Sequence, residues 1–250
     1  VVPAGFPIAL NRAGMLEGSA ENSIRIPESI AGGLVARAAV YPTPLSSLTG
    51  ALESMIRDPN GCFEQTSSSN YPLVMAMQYF QSHTDVSPDL VARSREKLAA
   101  GYQRLTGFES KSKGYEWFGA DPGHEALTAY GLMEFVDMQK TMPVDAAMVE
   151  RTRQWLLAKR DGKGGCARSS KAVDSFGRAP EATTNAYIVW ALAGAGEKGI
   201  GPELDAALKA AADVKDTYIL ALTAGALEES GREADARPLL ARLASAQADD

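Results

Sequence analysis

The sequence is poor in the residues from which metal sites and disulfide frameworks are built. Its 250 residues include two cysteines, Cys62 and Cys166, and two histidines, His83 and His124. Two cysteines allow at most one disulfide, and a Cys-Cys-His-His zinc site would consume all four residues without any CxxC or HxxxH spacing. The sequence therefore predicts no metal centre and at most one disulfide.

Basic clusters and long apolar runs are also missing. No more than two cations are adjacent and the net charge is −6, so the nucleic-acid-binding class is not indicated. No apolar run is long enough to span a bilayer. Residues 1–5 lack the charged and apolar regions of a signal peptide. We therefore expect either a cytoplasmic protein or one whose export signal lies outside this chain.

The first 44 residues have a composition typical of strands. Residues 23–27 alternate polar and apolar, and residues 34–42 are rich in small and β-branched side chains and end at Pro42. Two or three strands are too few for an independent sheet. We expect residues 1–44 to be an extended or β segment of a domain that lies elsewhere in a longer protein.

Residues 45–250 have helical apolar spacing. After a helix near residues 48–56 and one that follows Cys62, the pattern predicts seven further helices: 87–105, 124–138, 143–160, 183–195, 203–213, 216–229 and 233–247. Helices that are apolar nearly all round alternate with helices that have a charged face. The first kind is buried and the second peripheral, so the sequence predicts a mainly α fold, an α/α toroid of inner and outer helices. A more regular α-solenoid is the alternative.

The toroid has a consequence for the unusual segments of the chain. All inner helices of a toroid run parallel, so their N-termini lie on one rim. We expect that rim to gather residues 58–66, the glycine- and aromatic-rich loop 114–123 and the long loop 162–183.

Residues 58–66 (Asp-Pro-Asn-Gly-Cys-Phe-Glu-Gln-Thr) carry the most specific chemistry in the chain. Cys62 and Gln65 are three residues apart at a predicted helix start, which places their side chains on one face with Cβ atoms about 5–6 Å apart. If the Cys62 sulfur displaces ammonia from the Gln65 amide, an internal thioester forms. The alternative is that Cys62 is an ordinary small buried hydrophobe.

The segment Gly61–Gln65 resembles the Gly-Cys-x-Glu-Gln thioester motif of the α2-macroglobulin and complement family. Further segments resemble that family in the same order: residues 114–119, 127–130, 165–170 and 185–187. The resemblance covers residues 45–250 as a thioester domain and implies that residues 1–44 end the preceding β-sandwich domain. It also implies that the toroid is incomplete at its C-terminus.

The resemblance implies a secreted, periplasmic or cell-surface protease inhibitor. Cleavage of a bait region elsewhere in the full-length protein exposes the thioester, which then couples to an amine or hydroxyl of the protease. The implied partners are target proteases and other domains of the same protein, with no cofactor beyond the internal cross-link. The implied activity is a self-consuming covalent trap rather than an enzyme with turnover.

In this mechanism Cys62 supplies the sulfur and Gln65 the acyl carbon. Free N–H groups and the positive end of the helix dipole favour a thiolate at a helix start. Gly61 permits a tight turn with unusual dihedral angles. Glu64 is expected either to shuttle protons or to cap helix N–H groups.

A resting thioester needs an apolar shield against water. Phe63, Tyr71 and Trp117 are candidates for that shield, and a role in the core is the alternative for each. We expect another domain to supply part of the shield.

Some complement members carry a histidine that attacks the thioester first. The corresponding position falls near Ser175, and residues 125–250 contain no histidine. We therefore expect direct aminolysis that favours lysine amines over hydroxyls. His124 is the one candidate substitute on the same rim; alternatively, it bonds the backbone at a helix start.

Two other function classes stay open. In an α/α-toroid enzyme, Asp121 and Glu125 would be the acid–base pair of a glycosidase, although carboxylates at a helix start are commonly caps. A terpene cyclase needs a DxDD or DDxxD cluster, and the chain offers only Asp249-Asp250. The third class is a helical binding scaffold without chemistry.

Overall fold

The computed structural model describes residues 56–83, 86–168 and 179–246, together with parts of the N-terminal segment: 8, 10, 12, 14–16, 18–21, 23–26 and 33–40. The chain divides into two units, Val1–Ser46 and Ser47–Asp250. The predicted helix near residues 48–56 lies outside the described residues except for Ile56.

The described residues of the first unit are exposed and form neither a strand nor a helix. The strands expected over residues 23–27 and 34–42 are thus not formed by their described parts, 23–26 and 34–40. A strand is stabilised by ladder hydrogen bonds to a neighbouring strand, and the described part of this unit provides none. The assignment of residues 1–44 to a β-sandwich domain stays a prediction.

The described part of the second unit forms eight α-helices: α1 (Phe63–Ser82), α2 (Pro88–Thr106), α3 (Glu125–Met138), α4 (Ala146–Leu157), α5 (Glu181–Gly194), α6 (Gly201–Ala211), α7 (Thr217–Glu229) and α8 (Glu233–Ser245). Their bounds lie within a few residues of the predicted ones. The largest shift at a start is in α4, which begins at Ala146 rather than residue 143 because Asp145 caps it by accepting a hydrogen bond from the Ala147 N–H at 2.9 Å.

The helices alternate between two layers. The odd-numbered helices pack on one another in chain order, α1 on α3, α3 on α5 and α5 on α7, and each even-numbered helix packs on the odd-numbered helix before it. The odd-numbered helices are therefore the inner ones, and the predicted α/α toroid is confirmed for the described helices.

Two large apolar cores fill the space between the layers. One surrounds α1, α2 and α3 and includes Phe63, Leu98 and Phe135, all fully buried. The other surrounds α5 and α7 and includes Leu192 and Leu227. The first core includes Phe63, the first residue of α1, so the Cys62–Gln65 turn lies beside buried side chains.

A buried polar contact interrupts the first core. Asn70 of α1 donates a hydrogen bond from Nδ2 to Glu134 Oε1 of α3 at 2.8 Å. Gly101 of α2 makes room for this contact, since a Cβ atom there would lie 2.0 Å from Asn70 Oδ1. Burial raises the pKa of Glu134 to about 7, while the hydrogen bond from Asn70 opposes the shift.

Across the described ranges, no helix combines the length and apolar character that a membrane span requires.

Candidate thioester site

Cys62 is the N-cap residue of α1. Its backbone is extended (φ −75°, ψ −178°), and its N–H donates a hydrogen bond to Gln65 Oε1 at 3.2 Å. The Cys62 side chain faces the Gln65 backbone N–H, which completes the reciprocal arrangement of a capping box. Cys62 is half-buried and Gln65 is exposed. The structure thus folds the Gln65 amide back onto the residue that carries the thiol.

Gly61 allows this return of the Gln65 side chain. Its φ of +79° lies in the left-handed region, which other residues rarely adopt. A Cβ atom at this position would lie 2.0 Å from Gln65 Oε1 and 2.9 Å from Gln65 Cδ. Glycine is therefore required here both for its dihedral angles and for the absence of a side chain.

Arg104, in the last turn of α2, binds the backbone just before the start of α1. Its guanidinium donates two hydrogen bonds to the Gly61 carbonyl, one of them from Nε at 3.2 Å. Nε also lies 3.2 Å from Thr66 Oγ1, and that hydroxyl donates to the Asn60 carbonyl at 3.1 Å. The local sequence marks neither Arg104 nor Thr66 as a site residue. A cation in the last turn of a helix, such as Arg104, is ordinary.

Trp117 brings the loop 114–123 against the first turn of α1. Its carbonyl accepts a hydrogen bond from the Phe63 N–H at 2.9 Å, and its Nε1–H donates to Glu64 Oε2 at 2.9 Å. Glu64 is exposed and Trp117 is half-buried, so this hydrogen bond places the indole at the edge of the site. The structure therefore brings Trp117 to the Cys62–Gln65 turn.

His124 is the N-cap residue of α3 and extends this group of contacts. Its Nδ1 accepts a hydrogen bond from the Leu127 N–H at 3.4 Å, and its backbone N–H donates to the Tyr115 carbonyl at 2.7 Å. The centres of the His124 and Trp117 rings are 4.8 Å apart. His124 is buried and acts as a helix cap beside Trp117.

Phe63 and Tyr71 pack inside the helical layers. Phe63 is fully buried, and its ring centre lies 5.0 Å from that of Tyr115. Tyr71 donates a hydrogen bond from its hydroxyl to Asp137 Oδ2 at 2.6 Å across the α1–α3 interface. Burial and this bond to Asp137 raise the pKa of Tyr71. Of the three shield candidates, Trp117 lies at the turn itself, whereas the contacts of the other two belong to the core.

The sequence matches the profile of the A-macroglobulin TED domain, the thioester domain of these proteins, over residues 37–250. The chain belongs to this family. The match includes the whole described helical unit and the Cys62–Gln65 turn.

Curated relatives of this thioester domain are much longer than the chain. Alpha-2-macroglobulin-like protein 1 of Mus musculus is 23% identical over 241 residues, which are 90% of this chain and 16% of that protein. Thioester-containing protein 1 (allele S3) of Anopheles gambiae is 24% identical over 124 residues, which are 49% of this chain and 9% of that protein. The chain thus spans less than a fifth of either relative.

Solved structures share the fold. The native conformation of the Escherichia coli alpha-2-macroglobulin has a TM-score of 0.61 at 20% identity, over 81% of this chain and 13% of that one. Salmonella alpha-2-macroglobulin reacted with methylamine has a TM-score of 0.60 at 17% identity, over 81% of this chain and 13% of that one. These similarities show that this chain has the same fold as the matching part of both alpha-2-macroglobulins.

The loop 162–183 of the thioester domain is described in part. The Cys166 N–H donates to Asn185 Oδ1 at 3.2 Å, which fixes this segment to the start of α5. Burial raises the pKa of the Cys166 thiol to about 11. Neither Cys166 nor Cys62 forms a disulfide. Ser175 lies outside the described residues.

The enzyme alternatives depend on carboxylates such as Asp121. Asp121 is exposed, and its Oδ1 accepts a hydrogen bond from the Ser112 N–H at 2.8 Å, which lowers the pKa of Asp121. A glycosidase general acid has a raised pKa, and the pKa of Asp121 is shifted in the opposite direction. Asp249-Asp250 lies outside the described residues. Within the described ranges, no three His, Cys, Asp or Glu side chains are grouped so as to hold a metal ion.

Proposed function

We propose that this thioester domain is the covalent-capture part of an α2-macroglobulin-like protease inhibitor. The observation that carries the proposal is the hydrogen bond from the Cys62 N–H to Gln65 Oε1, 3.2 Å long, at the start of α1. It folds the acyl donor onto the residue that bears the nucleophile, which is the arrangement that ring closure requires.

The first step arms the domain. The Cys62 sulfur attacks Gln65 Cδ, a C–S bond forms, the Cδ–Nε2 bond breaks, and the thiol proton leaves with the nitrogen as ammonia. The product is a thioester that closes the ring Cys62–Gln65. The acyl carbon and sulfur both come from this chain, so the cross-link itself needs no cofactor.

The second step captures the target. A lysine amine of the protease attacks the thioester carbonyl, an amide forms at Gln65 Cδ, and the sulfur leaves and regains a proton as the Cys62 thiol. The attack is direct, since residues 125–250 contain no histidine. The contacts of His124 with Leu127 and Trp117 support a structural role for that residue.

The remaining assignments rest on family membership. Bait cleavage occurs in another domain of the full-length protein, and residues 1–44 end the β-sandwich domain before this one. Other domains complete the shield that Trp117 begins. The protein acts outside the cytoplasm, where it meets proteases, and each copy reacts once rather than turning over.

A gel-based capture assay tests the proposal. Full-length protein is incubated with a lysine-containing protease such as trypsin, and a covalent adduct is measured on a reducing, denaturing gel. Adduct is expected with the wild type and with Cys166→Ala, the matched control at the buried thiol. It is expected to be absent with Cys62→Ala and after methylamine treatment. Equal adduct from Cys62→Ala and wild type would overturn the proposal.

A further inference from the structure

We infer that Arg104 is a positioning residue of the thioester reaction and that, through it, the Cys62 backbone N–H is the hydrogen-bond donor to the reacting carbonyl oxygen, Gln65 Oε1. The inference rests on the proposed function and adds a residue that the thioester motif does not contain. Arg104 links the end of α2 to the residue before Cys62.

The Gly61–Cys62 peptide group forms hydrogen bonds through both its carbonyl and its N–H. The carbonyl of the Gly61–Cys62 peptide accepts two hydrogen bonds from the Arg104 guanidinium, and its N–H donates to Gln65 Oε1 at 3.2 Å. Because the peptide group is planar, fixing its carbonyl also fixes the direction of its N–H. Arg104 thereby aims the Cys62 N–H at the amide oxygen that reacts.

The positive charge of Arg104 also acts along this peptide. A hydrogen bond from a cation to a carbonyl is stronger than a neutral one. Hydrogen bonds in a chain polarise one another, so a carbonyl bonded to a guanidinium makes its own N–H a better donor. The chain of contacts runs from Arg104 through the peptide to Gln65 Oε1.

That donor lies where negative charge develops. When sulfur attacks Gln65 Cδ, the tetrahedral intermediate carries its negative charge on Oε1, and the charge returns to the C=O bond as ammonia leaves. When an amine attacks the thioester, the same oxygen carries the charge until the Cys62 sulfur leaves. A preorganised backbone N–H at this oxygen lowers the barrier of both steps.

Arg104 is itself held in place. Its Nε lies 3.2 Å from Thr66 Oγ1, and its guanidinium carbon lies 5.7 Å from the centre of the Phe108 ring. The Phe108 ring in turn packs edge-on against Phe63, with ring centres 6.1 Å apart. The cation is therefore anchored to the core next to the turn that it orients.

The test compares full-length wild type with Arg104→Ala, Arg104→Lys and Arg93→Ala. Arg93 is the control, because it lies on the same helix and pairs with Asp89 in solvent. The measurements are the fraction of protein that has lost one ammonia and the second-order rate constant for thiol release by methylamine. We expect Arg104→Ala to lower that rate constant by about tenfold or more, since losing a whole oxyanion donor costs about 100-fold or more. Arg104→Lys, with one cationic donor group, is expected to be intermediate and Arg93→Ala unchanged.

A spectroscopic readout separates this role from a structural one. In protein labelled with ¹³C-glutamine, the thioester carbonyl stretch is isolated as the infrared difference before and after methylamine. We expect a shift to higher wavenumber in Arg104→Ala, because a weaker hydrogen bond lengthens the carbonyl bond less. If Arg104→Ala fails to fold, the same rate and shift are measured on Arg104→Lys, and a wild-type rate and stretch there overturn the inference.

The outcomes distinguish the inference from the proposed function. Wild-type protein that shows neither ammonia loss nor methylamine-released thiol overturns the proposed function, and the inference with it. Wild-type protein that shows both, together with a folded Arg104→Ala variant of wild-type rate and carbonyl stretch, overturns the inference alone.

Discussion

Gly61 decides whether the Gln65 amide can reach Cys62. Its left-handed φ of +79° turns the chain into α1, and its missing side chain leaves the space that Gln65 Oε1 occupies. These are two separate demands, one on the backbone and one on the space beside it. A residue with a Cβ atom fails both, so the Cys62–Gln65 turn depends on glycine more strongly than an ordinary turn does.

Gly61→Ala is expected to abolish ammonia loss, because its Cβ atom would lie 2.0 Å from Gln65 Oε1. The matched control is Gly231→Ala, which has a similar φ of +74° but meets no atom within 4 Å. Both variants carry the backbone strain of about 1 kcal/mol, but only the first displaces Gln65. Intact mass of the full-length variants measures the outcome, and a Gly61→Ala variant that still loses ammonia would show that Gln65 reaches Cys62 by another route.

The residues of the site differ in how well sequence alone could identify them. The spacing of Cys62 and Gln65 is local, so it predicted that the two side chains share the first turn of a helix. The role of Arg104 depends on a contact 43 positions away in the chain, from the end of one helix to the start of another. Nothing in the local sequence distinguishes this arginine from an ordinary cation at a helix C-terminus.

At the level of the helices, α1 is held against α2 and α3 by polar as well as apolar contacts. Asn70 bonds Glu134 beside Gly101, and Tyr71 bonds Asp137 one turn along α3. Glu134 is fully buried, so its ionised form is poorly solvated. The interface between α1 and α3 therefore contains a carboxyl group whose pKa is raised to about 7.

The free energy of unfolding is expected to fall as pH rises from about 4.5 to about 7. Burial raises the pKa of Glu134 to about 7 from 4.5, so the folded state holds a proton that the unfolded state has lost. The stabilisation is complete below pH 4.5, the pKa of the carboxyl in the unfolded state, and is lost as the pH rises through about 7. The loss in unfolding free energy is at most about 3 kcal/mol. Urea unfolding between about pH 5 and pH 7 measures it.

Glu134→Gln is expected to remove this part of the pH dependence, because the amide cannot ionise. Glu96→Gln, a change at an exposed position of α2, is the control and is expected to retain it. An unfolding free energy of Glu134→Gln that falls with pH as steeply as that of the wild type would assign the dependence to other groups.

The loop 114–123 is the element for which sequence gave the least detail. Its glycines and aromatic residues predicted an unusual segment on the rim, and the toroid brings Trp117 to the start of α1. The hydrogen bonds of Trp117 to Phe63 and Glu64 join segments more than fifty residues apart. Such contacts follow from how α1 and α3 pack, which composition and periodicity do not determine.

For the whole molecule, the alternation of apolar and amphipathic helices was sufficient to predict the toroid. A helix that is apolar all round must be covered on every side, and a ring of such helices inside a second ring achieves this. The strands expected in residues 1–44 are not formed by the described residues there. A strand depends on partners that a local pattern cannot supply.

The toroid places the Cys62–Gln65 turn at the start of an inner helix, beside buried core residues. Under the proposed function, the protein is expected to carry an internal thioester that reacts with an amine. This expectation concerns a covalent bond that forms with loss of ammonia, so it is tested best by a measurement of molecular mass.

Intact mass of the native full-length protein before and after methylamine is that measurement. The expected mass is one ammonia lighter than the sequence before treatment, and one methylamine heavier than that lighter mass afterwards, with release of the Cys62 thiol. Cys62→Ala is expected to show the full sequence mass in both samples. Native protein of full sequence mass, whose Cys62 reacts with iodoacetamide without any methylamine treatment, would contradict an internal thioester between Cys62 and Gln65.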